Sequence, residues 1–276
     1  MTYRMEAVLG TRSPDFDEAY AALAAEFAPR GELERREVVA EWLDGAAARP
    51  ATWPAYQMLV ARDERGALAG VRDCHVAIDR AAGLAVAYLA HALVLPAYRR
   101  TGLGALLRNA PITLVTDMLR AMSIAPGSMD VLLAAEMEHP STGDEASVVR
   151  LVAYGKEGFS AIAPAALPYW QPDFRDLGAR DVGEARPIPL LAIVRHVGHE
   201  AAATLPKALA RAFVETLYAV FSTHVRADHL AALEARTLGV LDVYPGDEVP
   251  LLPLPRSPGD PALLSLFPRS SDDHTG

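Results

Sequence analysis

The chain has 276 residues, 51% hydrophobic and 22% charged, enough apolar material for a sizeable core and incompatible with a disordered chain. Its formal net charge of -9 argues against nucleic acid or an anionic membrane as the main partner, because both reward positive patches. The single cysteine, Cys74, leaves no internal disulfide and fits a reducing compartment.

At the N-terminus, MTYRMEAVLG has interrupting charges and no apolar core, so it does not read as a signal peptide. No stretch approaches the roughly 18 uninterrupted apolar residues of a membrane span, and the expected setting is cytoplasmic. Ser13-Pro14 followed by DFDEAYAALAAEFA predicts a capped helix with an acidic first turn. Pro29 and Gly31 break it, ELERREVVAEWL resumes a helical period to about Asp44, and ARPATWP (48–54) is expected as a loop. YQMLVAR, the turn DERG and ALAGVRDCHVAID read as a hairpin, with Gly66 suited to a positive φ. LAVAYLAHALVL is apolar on both faces and predicts a central strand.

Next come a helix from Gly102 to about Met122, a strand in MDVLLAAEMEH, a helix in DEASVVRLVAYGKEG and a strand in PIPLLAIVRHV. This order predicts an α/β fold, a mixed central β-sheet flanked by helices. Residues 1–200 are expected to form that domain, with helices in 13–45 and the core from about 55 to 200. Residues 201–276 are expected to add two helices, a proline-punctuated segment and a flexible tail. Leu209, Ala212, Phe213, Leu217 and Val220 make an apolar stripe suited to packing on the sheet or to a homodimer contact.

The joint between central strand and helix, LVLPAYRRTGLGALLR (93–108), carries the most chemistry. A helix start leaves several N–H groups unpaired at its positive end, and glycines let the backbone approach a ligand closely. Arg99 and Arg100 add charge just before that start. Together they form an anion cradle suited to a pyrophosphate. A nucleotide triphosphatase loop is excluded because GxxxxGK[ST] is absent, and a GxGxxG fingerprint would need glycine where Leu107 stands.

Arg99-Arg100-Thr101-Gly102-Leu103-Gly104 matches the [QR]xxGx[GA] signature of the GCN5-related N-acetyltransferases (GNAT), and the preceding VLPAYR resembles the same family's strand end. RLVAYGKEGF (150–159) resembles the family's helix ending in Gly-Phe, and AAEMEHP (134–140) its preceding strand. The resemblance covers roughly residues 55–200. It implies a GNAT-like acyl-CoA-binding fold that transfers an acyl group, usually acetyl from acetyl-CoA, to an amine acceptor without a metal. It further implies that the backbone of Ala92, Leu93 and Val94 pairs with the pantetheine arm. The amides of Arg100, Thr101, Gly102, Leu103, Gly104 and Ala105, with the charge of Arg99, would hold the pyrophosphate.

By the same resemblance Tyr154 is the candidate acid for the leaving thiolate and Glu136 the candidate base. Glu138 shares a strand face with Glu136 by the period of two. The family's asparagine after this strand is replaced by STGDEAS. A non-catalytic acyl-CoA-binding module and a longer acyl donor therefore stay open beside the acetyltransferase. Counting from the arginines, the family's imidazole positions fall on Tyr88 and Ala90, which leaves His91 on the opposite face as a core histidine and Tyr88 as a pocket wall. Cys74 reads as a small buried residue. His196 and His199, three apart in a strand, are expected on opposite faces and so not to share a metal. YWQPDF (169–174) could line an acceptor pocket, and reads better as a segment pinned to the sheet.

Overall fold

The computed structural model describes residues 1–276 except 31, 46–54, 126, 141–144, 173–186, 223–224 and 268–276. The expected loop at 48–54, most of STGDEAS, the end of YWQPDF and most of the tail lie outside the described residues. Strands β1 (Arg4–Ala7), β2 (Ala55–Arg62), β3 (Leu68–Asp79), β4 (Leu84–Val94) and β5 (Asp130–Met137) form the first half of one mixed sheet. Beyond β5 the sheet continues through β8 (Ile188–His196), β6 (Ser160–Ile162), β10 (Glu248–Pro253) and β9 (Thr204–Pro206). β7 (Tyr169–Gln171) pairs with the other end of the β8 edge that β6 uses. All pairings are antiparallel except β4 with β5.

One face carries α3 (Leu103–Ala121) and α4 (Glu145–Lys156), whose Leu119, Val115, Leu151 and Tyr154 pack with Cys74, Val76, Ala85, Leu89 and Leu133. The other face has two coverings. Near β2 and β3 it buries Phe16 and Leu23 of α1 (Pro14–Phe27) and Val39 and Trp42 of α2 (Arg36–Gly45). Near β4, β5 and β8 it buries Leu209, Phe213 and Leu217 of α5 (Lys207–Phe221), joined by Leu230 and Leu241 of α6 (Ala227–Val243). The predicted Ser13 cap is formed, its hydroxyl accepting from the Asp15 amide at 3.3 Å. Gly66 adopts φ +81° in the expected turn.

The C-terminal region differs from the expected helical extension. The stripe on α5 covers the sheet, and residues after 200 supply β9 and β10, with β10 pairing to β6. The boundary at residue 200 therefore divides one continuous core. The strands β1, β6, β7 and β9 carry too few residues to show a period of two, and Pro250 and Pro253 hide β10, so only long-range pairing reveals them. No helix among the described residues is long and apolar enough to cross a membrane.

The chain after β10 crosses directly over α4 at Gly155. A Cβ there would stand 2.3 Å from the Pro255 carbonyl oxygen and 3.0 Å from that of Leu254, both backbone atoms with little freedom to move. Gly155→Ala is expected to destabilise the protein by about 2–3 kcal/mol, measured by urea denaturation. An unchanged midpoint would show that this crossing is loose.

Candidate active site

The parallel ladder of β4 and β5 runs from Leu84↔Asp130 to Tyr88↔Ala134 and ends there. β4 continues to Val94 bound only to β3, while β5 continues to Met137 bound only to β8. The sheet thus splits, and residues 89–94 of β4 have no β5 partner among the described residues. Ala92, in the middle of this free edge, is the exposed residue of a strand that is otherwise buried or half-buried.

A β-bulge accompanies the split. Arg72 lies opposite Ala92 but Cys74 opposite Leu89, so Ala90 and His91 together face Asp73. A bulge bends its strand and increases the local twist, which carries β4 away from β5. The Asp73 carboxylate accepts the His91 backbone N–H at 2.6 Å, supplying the acceptor that the interrupted ladder lacks, and also meets His91 Nδ1 at 3.0 Å. Tyr56 donates its hydroxyl to the same carboxylate at 2.9 Å.

The extra residue corrects the sequence-based facing of His91. Its imidazole lies on the same face as Tyr88, against Phe27 and the Glu32 carbonyl oxygen, not on the opposite face. Burial pushes the Asp73 carboxyl up, but the charge and hydrogen bonds of His91 more than offset that and leave it low. Burial likewise opposes the His91 imidazolium, but Asp73 holds its pKa above the ordinary value. His91 is therefore the cationic half of an ion pair and a poor general base.

Beyond β4, Pro96–Tyr98 makes one 3-10 turn and the chain enters α3 through two left-handed residues, Arg100 at φ +66° and Gly102 at φ +89°. The turn is pinned from two sides. Tyr98 donates its hydroxyl to Asp63 at 2.9 Å, and Tyr3 donates its hydroxyl to Thr101 at 2.8 Å. A Cβ at Gly70 would meet the Leu93 carbonyl oxygen at 2.7 Å and a Leu107 methyl at 2.9 Å, so glycine lets α3 seat its buried Leu103 and Leu107 on β3 and β4.

No backbone acceptor among the described residues takes the amides of residues 100–104, and Gly102 caps α3 without a side chain. Arg99 and Arg100 are exposed beside them. Ala105 departs from the expectation, because its amide already donates to the Gly102 carbonyl oxygen at 3.1 Å. The open row is therefore one residue shorter than the predicted one.

Glu136 sits two residues past the last β4–β5 pair, at the split. Tyr169 donates its hydroxyl to one carboxylate oxygen and Gln171 donates Nε2 to the other at 2.7 Å. Burial raises the Glu136 pKa to about 7, while hydrogen bonds from Tyr169, Gln171 and Tyr88 work against that rise. The YWQ segment is therefore pinned to the sheet, as expected, and also holds the candidate base, a role that its proline-flanked aromatics did not disclose. Tyr88 forms a wall of this site together with Phe221.

Tyr154 lies on the other face of the sheet. Its ring packs edge-on to Phe159 at 4.9 Å, beneath the Arg108 guanidinium at 5.8 Å. Arg108 reaches from the Gly104 end of α3 to Glu157, and its buried Nε has no partner among the described residues. The structure thus unites Glu136 with Tyr88, Tyr169 and Gln171, and keeps Tyr154 with Arg108 across the sheet. Glu138 leaves the group, because β5 ends at Met137 and Glu138 pairs with Arg150 at 2.9 Å. Cys74 is buried, with its thiol pushed up to about 12 by desolvation, as suits an inert residue.

No protein-family model matches the chain, and no curated protein matches it. Among solved structures it is similar to a Bacteroides thetaiotaomicron chain assigned to the GNAT acetyltransferases, at 16% identity and TM-score 0.45 over 70% of this chain and 86% of that one. It is similar to a Bacillus subtilis acetyltransferase in complex with CoA, at 16% identity and TM-score 0.40 over 71% and 99%. Arabidopsis thaliana Naa50 with a bisubstrate analogue is similar at 14% identity and TM-score 0.41, over 71% and 99%.

Asp73→Asn removes the charge that keeps His91 protonated. It is expected to lower the His91 pKa, followed by NMR of the imidazole Cε1–H, and to cost about 3 kcal/mol of stability near neutral pH. The pair's stabilisation through His91 is full below the ordinary histidine value and is lost as pH rises through the raised folded value, a slope the variant should lack. An unchanged His91 titration would exclude the pairing.

Proposed function

We propose that the chain is an acyl-CoA-dependent N-acyltransferase of the GCN5-related type, with acetyl the expected acyl group and an amine the acceptor. The observation that carries this reading is the continuity of the free β4 edge with the open amides at the start of α3. An extended pantetheine arm can add to the edge at Ala92, Leu93 and Val94 as a strand would. A pyrophosphate fits the amides of residues 100–104, the left-handed Gly102 and the charges of Arg99 and Arg100. Acyl-CoA supplies an activated thioester that would lie where β4 and β5 part.

Glu136 is the general base in this reading. Its carboxylate takes a proton from the acceptor's ammonium, and the freed amine attacks the thioester carbonyl carbon. The C–N bond forms, the C–S bond breaks, and the Tyr154 hydroxyl donates its proton to the departing thiolate, while the second proton, released by the acylated nitrogen, passes through solvent to restore the tyrosine. Tyr169 and Gln171 orient the Glu136 carboxylate, and its pKa near 7 lets it exchange protons at neutral pH. The burial of Tyr154 and the hydrogen bonds already held by Glu136 favour a second reading, a non-catalytic acyl-CoA-binding module.

Acetyl-CoA affinity measured by calorimetry should fall at least about tenfold in Gly102→Asp and in Arg99→Glu. Equal affinity in all three proteins would sink the cradle. With an amine panel and detection of released thiol, kcat/KM should rise with pH through a midpoint near 7 as Glu136 ionises. Glu136→Gln should remove that limb and lower kcat/KM about 10²- to 10³-fold. CoA binding with no turnover on any amine would instead favour the binding module.

A further inference from the structure

At the far end of the sheet, a turn overturns the sequence-based separation of two histidines. β8 ends at His196, and the chain reverses through Gly198 at φ +85°, so that the His199 amide donates to the His196 carbonyl oxygen at 2.9 Å. His199 therefore leaves the strand's alternation, and its ring lies 4.3 Å from that of His196, inclined by 35°. Glu200 holds the turn closed, accepting from the Gly198 amide at 3.1 Å and from Arg195 Nε at 2.9 Å.

Asp130, the first residue of β5, stands beside them, and His196 Nε2 lies 2.8 Å from its Oδ1. One donor atom from each of Asp130, His196 and His199 falls within 4.8 Å of the others. Tetrahedral bonds of about 2.0–2.1 Å require donors about 3.3 Å apart, a contraction that rotation of the exposed His199 side chain can supply. Two imidazoles and one carboxylate suit a borderline transition cation better than magnesium or calcium, which prefer all-oxygen shells.

We propose that Asp130, His196 and His199 form a binding site for a divalent transition cation, zinc foremost, with water completing the coordination. The site lies about 20 Å along β5 from Glu136, at the strand rise of about 3.3 Å per residue, so it takes no part in acyl transfer. It clasps the start of β5 to the turn after β8, and the ion stabilises the folded chain by binding it alone. The inference is independent of the acyltransferase reading.

The test uses the tag-free, full-length chain stripped with a chelator. Calorimetry with zinc chloride and absorption spectroscopy with cobalt chloride should show one equivalent bound, with tetrahedral cobalt bands and a higher Tm in zinc. His199→Ala and Asp130→Asn should each weaken binding at least about tenfold and abolish the rise in Tm, while His229→Ala changes neither. Because His199 is exposed, its loss should leave the metal-free Tm unaltered. No binding, or binding undiminished in both His199→Ala and Asp130→Asn, would overturn the proposal.

Discussion

The end of the β4–β5 ladder at Tyr88 and Ala134 is the constraint on which the rest of the candidate site depends. Two central strands that stayed paired would close the sheet and bury every backbone group of β4. Here the extra residue at Ala90–His91 turns β4 aside, and the lost ladder partner is replaced by a carboxylate from the neighbouring strand. Asp73 therefore has a structural task that no apolar residue could perform. The free edge and the open start of α3 follow from it, because the diverted strand ends against the Tyr98–Asp63 and Tyr3–Thr101 contacts.

Two carboxylates near this split are driven in opposite directions by their surroundings. Asp73 is buried beside a cation and two donors, which keep it ionised. Glu136 is half-buried beside neutral donors, which only partly compensate for desolvation, and its pKa rises to about 7. A carboxylate locked in an ion pair can hold backbone but cannot exchange protons at neutral pH, whereas one poised near 7 can. The same residue chemistry thus serves architecture at one position and, in the proposed function, proton transfer at the other.

The C-terminal segment belongs to this arrangement. α5 covers the face of the sheet on which Glu136 and Tyr88 lie, and its Phe221 and Tyr218 pack against Tyr88 and Tyr169. β10 then extends the sheet from β6, and the chain after it passes over Gly155, beside Tyr154. Both candidate catalytic residues are consequently packed by elements that lie a hundred residues or so further along the chain.

By itself the sequence determined the long strands β2 to β5 and β8, the helices and the glycine-marked turn into α3. These rest on local properties: a period of two or 3.6, a capping serine, and glycines where φ must be positive. It also singled out Glu136 and Tyr154, through motif position. Only the tertiary structure decided that an extra residue in β4 turns His91 to the Tyr88 face, and that a turn after β8 returns His199 to His196. It likewise brought Tyr169 and Gln171 to Glu136, paired Glu138 with Arg150, and made β9 and β10 part of the sheet. Each of these depends on register or on contacts between distant segments, and one inserted residue reverses every facing argument downstream of it. Local pattern carries no record of where such a residue will be accommodated.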